Sequence, residues 1–243
     1  MTDQAKRAVS RILMSMMVVL LLAGCQQLPL IGSKSSQAES FSVDHVAKSD
    51  IDLIFDYQVK QTHDLLRALM LKLYLRNPIY WRNSSSTSPQ ERVKLMFDMY
   101  EMDVQVMLRN KRSIDSIKLA FDPTFQGDRV LAYVFGLKTM LAAAYSNKQS
   151  FYMLDQLDPQ KLYDSARNIE VAVWMLSNRK KPDGELYLVS NELQGPVKNL
   201  SFERLFGKLI MAQDISSQIV ADSTKRTVKN VIQGIARYIL IPI

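Results

Sequence analysis

The chain has 243 residues, of which 47% are apolar and 23% charged, with a formal net charge of +7 and a single cysteine. That length and apolar share suit one packed domain or two small ones, and the lone thiol excludes an intramolecular disulfide framework. The glycines are few and scattered, which excludes a P-loop or a dinucleotide-binding turn built from adjacent backbone amides.

The opening stretch carries Lys6, Arg7 and Arg11, and from Ile12 to Ala23 the chain is apolar apart from Ser15. A basic start followed by an apolar run too short to span a bilayer is the plan of a secretory signal. The next residues, Leu22, Ala23, Gly24 and Cys25, resemble the lipobox of bacterial lipoproteins: leucine three positions before an invariant cysteine, with small residues between. The resemblance implies recognition of Leu22, Ala23 and Gly24 by the signal peptidase, cleavage before Cys25, and acylation of that cysteine. An ordinary cleaved signal and a single-pass anchor are the alternatives. Two or three acyl chains hold a protein on a membrane where one alone does so only marginally. Gln26 and Gln27 follow the cysteine instead of an aspartate, which by the same resemblance implies the periplasmic face of the outer membrane. Loss of Asp3, Lys6, Arg7 and Arg11 with the signal lowers the net charge from +7 to +5.

Residues 25–48, "CQQLPLIGSKSSQAESFSVDHVAK", show no sustained periodicity and read as a flexible tether. A chain of that length has an end-to-end distance of about 25 Å. The remaining part, 49–243, reads as a helical periplasmic domain. Ser49 and Asp52 start a long amphipathic helix with Ile51, Ile54, Phe55, Leu65, Leu66, Leu69 and Leu73 on one stripe, and Asn77-Pro78 stops it. After the loop "NSSSTS", a capping box of Ser88, Pro89 and Glu91 opens a second helix expected to run through "MYEMDVQVML". A short helix over "SIDSIKLAF" precedes the turn at Asp122-Pro123, and Asp128 then caps "RVLAYVFGLKTMLAAAYSNK". The apolar character of that segment, and its small residues Gly136, Ala142, Ala143 and Ala144, place it at the centre of the domain. Asp158-Pro159 opens a helix with Leu162, Ala166, Ile169, Val173 and Leu176 on one stripe. The segment "DGELYLVSNELQGP" is either a small hairpin or an ordered loop. Last come two stripes, Phe202, Leu205, Leu209, Ile215 and Ile219, then Val228, Val231, Ile232, Ile235 and Ile239. No fixed-period repeat emerges, so the expected fold is an all-α, non-repeat multi-helix bundle.

Candidate chemistry is sparse. His45 and His63 lack the paired spacing of a metal site or a histidine-activated nucleophile, so no metal and no cofactor other than the lipid on Cys25 is expected. Glu170, among apolar residues near Trp174, is the one candidate acid for cell-wall hydrolysis, and Arg167 stands three residues earlier to pair with it. Asp98, Glu101 and Asp103 read as the wet face of a helix. Basic clusters at Arg109, Lys111, Arg112 and Lys118, at "NRKK", and at Lys225, Arg226 and Lys229 suit either helix ends in solvent or contact with anionic headgroups or an acidic partner. Nucleic acid is not an expected partner. Tyr80 and Trp81 beside a turn, and the apolar terminus with Tyr238, Ile239, Leu240, Ile241 and Ile243, are candidate partner-binding residues; packing of that terminus into the domain's own groove is the alternative.

Three mature segments, "LKLYLRNP", "LDPQKLYDSARNIEVAVW" and "NLSFERLFGKLI", resemble uncharacterised proteobacterial outer-membrane lipoproteins, a likeness that brings no activity with it. The expectation is a non-enzymatic envelope assembly or maintenance factor that binds another envelope protein. A lipid or small-ligand binder with a large apolar cavity is the second reading, and a cell-wall hydrolase the third.

Overall fold

The computed structural model describes residues 50–152, 157–192, 198–224 and 240–243. Cys25, its lipobox neighbours, the tether, the second apolar stripe of the last segment, Tyr238 and Ile239 all lie outside the described residues. Within them the fold is all-α, with no β-strand. Its helices are α1 (Asp50–Arg76), α2 (Pro78–Arg82), α3 (Pro89–Asp98), α4 (Glu101–Met107), α5 (Ser113–Leu119), α6 (Arg129–Ala144), α7 (Pro159–Asn178) and α8 (Ser201–Thr224). None of the described helices is long and apolar enough to cross a membrane.

Local chemistry sets most helix starts. Ser88 Oγ accepts from the Glu91 N–H at 3.1 Å, with Pro89 in the first turn, and Glu91 reaches back to the Thr87 hydroxyl at 2.7 Å. Asp128 accepts from Leu131 N at 2.9 Å and Asp158 from Gln160 N at 2.9 Å, so each carboxylate satisfies a donor that its helix leaves orphaned.

Helix α6 is the axis of the domain: every residue from Arg129 to Leu137 is buried, as an all-round apolar helix must be. Its neighbours are α5, α1 and α7, while α8 packs on α7 and α1. The α5–α6 approach depends on Gly136, where an added Cβ would lie 2.7 Å from both Ile117 Cγ1 and the Ile117 backbone nitrogen. Two hydrogen bonds fasten the pair, from the Ser113 N–H to Thr139 Oγ1 at 2.7 Å and from the Ser116 hydroxyl to the Ala132 carbonyl at 2.8 Å.

Three expectations need correction. The helix that begins at Pro89 does not run through to Leu108: Met99 and Tyr100 are extended, and α4 starts afresh at Glu101. The bend turns Tyr100 outward to 84% exposure while Val104 and Leu108 enter the core, so tertiary packing overrides a locally helical pattern. In α1 the stripe begins at Phe55, whose ring meets Phe151 at 5.7 Å, and Ile51 and Ile54 are exposed. In α8 the buried face is Phe202, Phe206, Leu209, Gln213, Ser216, Ser217 and Val220, with Ile215 outside. Its two serines find partners: Tyr145 Oη and Ser216 Oγ share a hydrogen bond at 3.0 Å, and the Ser217 hydroxyl donates to the Pro159 carbonyl at 2.8 Å.

The described part of the hairpin-or-loop segment, 183–192, forms no strand and carries members of two isolated antiparallel bridges, Lys180 with Leu186 and Glu192 with Asn199; residues 193–197 lie outside the described residues. Gly184, at φ +88°, makes the tight turn that only glycine adopts without strain. Asn77, expected as a helix stop, also clamps this loop: its side chain donates to the Val189 carbonyl and accepts from the Val189 N–H, both at 2.8 Å.

Candidate functional site

A cleft of about 870 Å³ opens where α2 and the loop after it, the start of α3, the end of α4, the 123–127 turn and the head of α6 meet the 181–187 loop. That volume lies in the range of ligand pockets. Its floor is a buried cluster at the head of α6. Asp128 Oδ2 accepts from the Tyr74 hydroxyl at 2.7 Å and faces Arg92 Nε at 3.3 Å, while Oδ1 is taken by the Leu131 N–H. Burial pushes the Asp128 carboxyl above the usual carboxylate range, opposed by these three donors, which favour the charged form. The Tyr74 hydroxyl is pushed far up by burial and by the adjacent Asp128 charge. Both oxygens of Asp128 are therefore committed to holding α6, α1 and α3 together, and the group serves as a structural anchor for the cleft.

Arg129 shapes one wall. Its guanidinium donates to the carbonyls of Ala120 and Asp122 at 2.8 Å each and of Phe125 at 2.6 Å, and lies 4.6 Å from the Tyr187 ring centroid. One buried cation thus orders the 120–125 turn and the loop opposite it. Tyr80 forms another wall, its hydroxyl donating to the Tyr187 carbonyl at 3.3 Å and pushed up in pKa by burial. At the rim, Ile79 and Met107 are 59% and 49% exposed, two apolar side chains of a cleft that Lys181 also lines.

Of the residues the sequence singles out, Tyr80 stands in this cleft, and Trp81 is half-buried against the main core with the Arg82 guanidinium 5.4 Å from its ring. The described end of the chain packs into the domain's own groove. Leu240 is buried, Ile243 packs on the core, and Asn168 clamps Ile241 by donating to its carbonyl at 2.7 Å and accepting from its N–H at 2.6 Å. Glu170 lies on the surface, ion-paired with Arg167 at 3.1 Å, and lines neither this cleft nor a smaller one between α1 and α6. Arg167 also grips Asp214 at 2.9 Å, and burial raises the Glu170 pKa against the pull of that arginine. Asp98, Glu101 and Asp103 do not converge: Asp98 faces Arg67 at 3.7 Å and Glu101 faces Lys138 at 3.4 Å. Among the described residues no cluster of three metal-ligating side chains occurs. Arg109 and Arg112 are drawn to Asp122 and Glu101 at 3.7 and 3.8 Å. Arg92, Arg129 and Tyr187 escaped the sequence reading; the one visible signal was an arginine heading an otherwise apolar helix.

The class defined by this geometry is an all-α, non-repeat helical domain with a lateral cleft of mixed polarity. Comparison with protein-family models, curated proteins and solved structures finds no match for the chain.

Proposed function

We propose that this chain is a lipid-anchored outer-membrane lipoprotein whose helical domain works without catalysis, holding a segment of another envelope protein as an assembly or maintenance factor. The observation that carries the anchoring is the order of basic start, apolar run and Leu22-Ala23-Gly24-Cys25 at the head of the chain. Acyl chains on Cys25 place the domain on the periplasmic face, within a tether's length of the membrane.

The 870 Å³ cleft supports the binding half of the reading. Exposed Ile79 and Met107 offer apolar anchors, the Tyr80 and Tyr187 walls are held in place by Arg129, and Lys181 supplies charge at the edge. A few apolar side chains in a preformed groove with a charged rim are what a partner's peptide segment requires. The mixed lining and open shape favour this over carriage of a lipid, whose acyl chains need an apolar interior.

The test is crosslinking and purification from envelope membranes of the intact protein and of an Ile79→Asp/Met107→Asp variant. A defined protein that co-purifies with the intact chain and is lost with the variant supports the reading. Recovery of phospholipid alone from both forms replaces it with ligand carriage. Rim substitutions are preferred to removal of the terminus because Leu240 and Ile243 belong to the packed domain.

A further inference from the structure

A second cleft, of about 450 Å³, lies between α1, the α3–α4 bend, α6 and the turn after α6. It is separate from the larger cleft, and its chemistry depends on neither the lipid anchor nor the envelope partner. Two of its polar groups are left wanting. Thr62 is only 3% exposed, yet its hydroxyl has no hydrogen-bond partner among the described residues. A buried hydroxyl left unpaired is costly and rare, and calls for an explanation. Lys138, with a side chain 11% exposed, faces Glu101 Oε1 at 3.4 Å and lies 6.0 Å from the Phe97 ring centroid, and its ammonium carries three donors. Glu101 is itself shared with Arg112 at 3.8 Å.

The rest of the lining is mixed: Asn147, Lys148 and Gln149 come from the turn after α6, and an apolar and aromatic patch faces them. Val59, Leu66 and Leu141 stand beside the Phe97 ring, against which the His63 ring sits at 6.2 Å. The charges that face His63 are Lys138 from α6, Arg67 and Asp64 from α1, and Glu101 from α4; with burial, the two cations outweigh the two acids and lower its pKa. Burial and the two cations thus favour the neutral His63 ring, which can both donate and accept.

We propose that this cleft binds a small monocarboxylate with an apolar body, its two oxygens taken by the Lys138 ammonium and the Thr62 hydroxyl and its body set against Phe97. Of the two lysines in the lining Lys148 is itself engaged, so Lys138, with donors to spare, and the Thr62 hydroxyl match a two-oxygen monoanion. A phosphate dianion is a poorer fit, because Glu101 stands in the wall and Arg67 is engaged with Phe97 at 4.3 Å and Asp98 at 3.7 Å.

The experiment is an NMR titration of the histidine ring signals of the purified full chain with benzoate, phenylacetate and 4-methylpentanoate. His63 is assigned by a His63→Gln variant, since His45 is the other histidine. At least one of the acids shifts the His63 signals saturably, and its bound carboxylate raises the His63 pKa. Thr62→Val, which keeps the shape and removes the hydroxyl, weakens binding by about five- to tenfold, the worth of one hydrogen bond, while making the free protein more stable. Lys138→Gln weakens binding further. The proposal is overturned if none of the three acids gives a saturable shift, if Thr62→Val and Lys138→Gln bind as well as the parent, or if inorganic phosphate or benzyl alcohol binds as tightly as the acids.

Discussion

The same substitution, glycine to alanine in a helix, has opposite outcomes at two positions of this domain. In an exposed helix interior the change is favourable by about 1 kcal/mol, because glycine loses more backbone freedom on folding. Gly207 in α8 meets that condition: a Cβ there finds no heavy atom within 4 Å. Gly136 in α6 does not. Its Cβ would sit 2.7 Å from Ile117 Cγ1, 2.7 Å from the Ile117 nitrogen and 2.8 Å from the Ser113 carbonyl oxygen, and two of those three atoms are backbone. No rotamer change relieves such contacts, so α5 must move off α6 and stretch the Ser113–Thr139 and Ser116–Ala132 hydrogen bonds. Overpacking of that kind costs about 1–3 kcal/mol, and weakening the two bonds adds about 1 kcal/mol, which together exceed the gain in helix propensity. The expected net effects are destabilisation by about 1–3 kcal/mol for Gly136→Ala and stabilisation of up to about 1 kcal/mol for Gly207→Ala. Urea unfolding followed by far-UV circular dichroism reads both as shifts of midpoint in opposite directions. A Gly136→Ala protein as stable as the parent would refute the close α5–α6 approach.

Other contacts lead to three further outcomes. Asn168→Ala removes two hydrogen bonds to the Ile241 backbone and lowers stability by about 2 kcal/mol, with the C-terminal residues becoming sensitive to carboxypeptidase; unchanged protection contradicts the clamp. Ser88→Ala removes the acceptor for the Glu91 N–H and costs about 1 kcal/mol in urea unfolding. Burial, Lys138 and Arg67 lower the His63 pKa below 6.5, so in the window just below that value the unfolded chain binds more protons than the folded one. Stability from this group is full above the unfolded pKa and lost as the pH falls through the folded one; His63→Gln flattens that slope in unfolding midpoints compared at about pH 5 and pH 7.

What the sequence made legible is local. Ser88, Asp128 and Asp158 announce their helices because a cap and its amide lie two or three residues apart, and Asn77-Pro78 ends α1 for an equally local reason. The apolar run after Asp128 identifies the central helix without help from any partner. What escaped the reading depends on residues distant in the chain. The bend at Met99 and Tyr100 arises from where Val104 and Leu108 must point, and the helical pattern itself is unbroken there. The buried polar face of α8 is invisible to a hydrophobic stripe because Ser216 and Ser217 are satisfied by Tyr145 and Pro159. The same holds for the candidate site. Tyr80 drew notice as an aromatic beside a turn, but Arg129 and Tyr187 build the cleft through contacts across more than fifty residues, and Asn77 and Asn168 act on backbone carried by other elements.

The proposed place of this domain on the envelope rests on lipid at Cys25. Mass spectrometry of the N-terminal peptide of the protein purified from outer membranes is the sharpest test of that anchor. The predicted result is a peptide that begins at Cys25 and carries the added mass of acyl chains, with Cys25→Ser abolishing both cleavage and membrane retention. A mature chain that begins elsewhere, or an unmodified Cys25 in a membrane-bound protein, would contradict it.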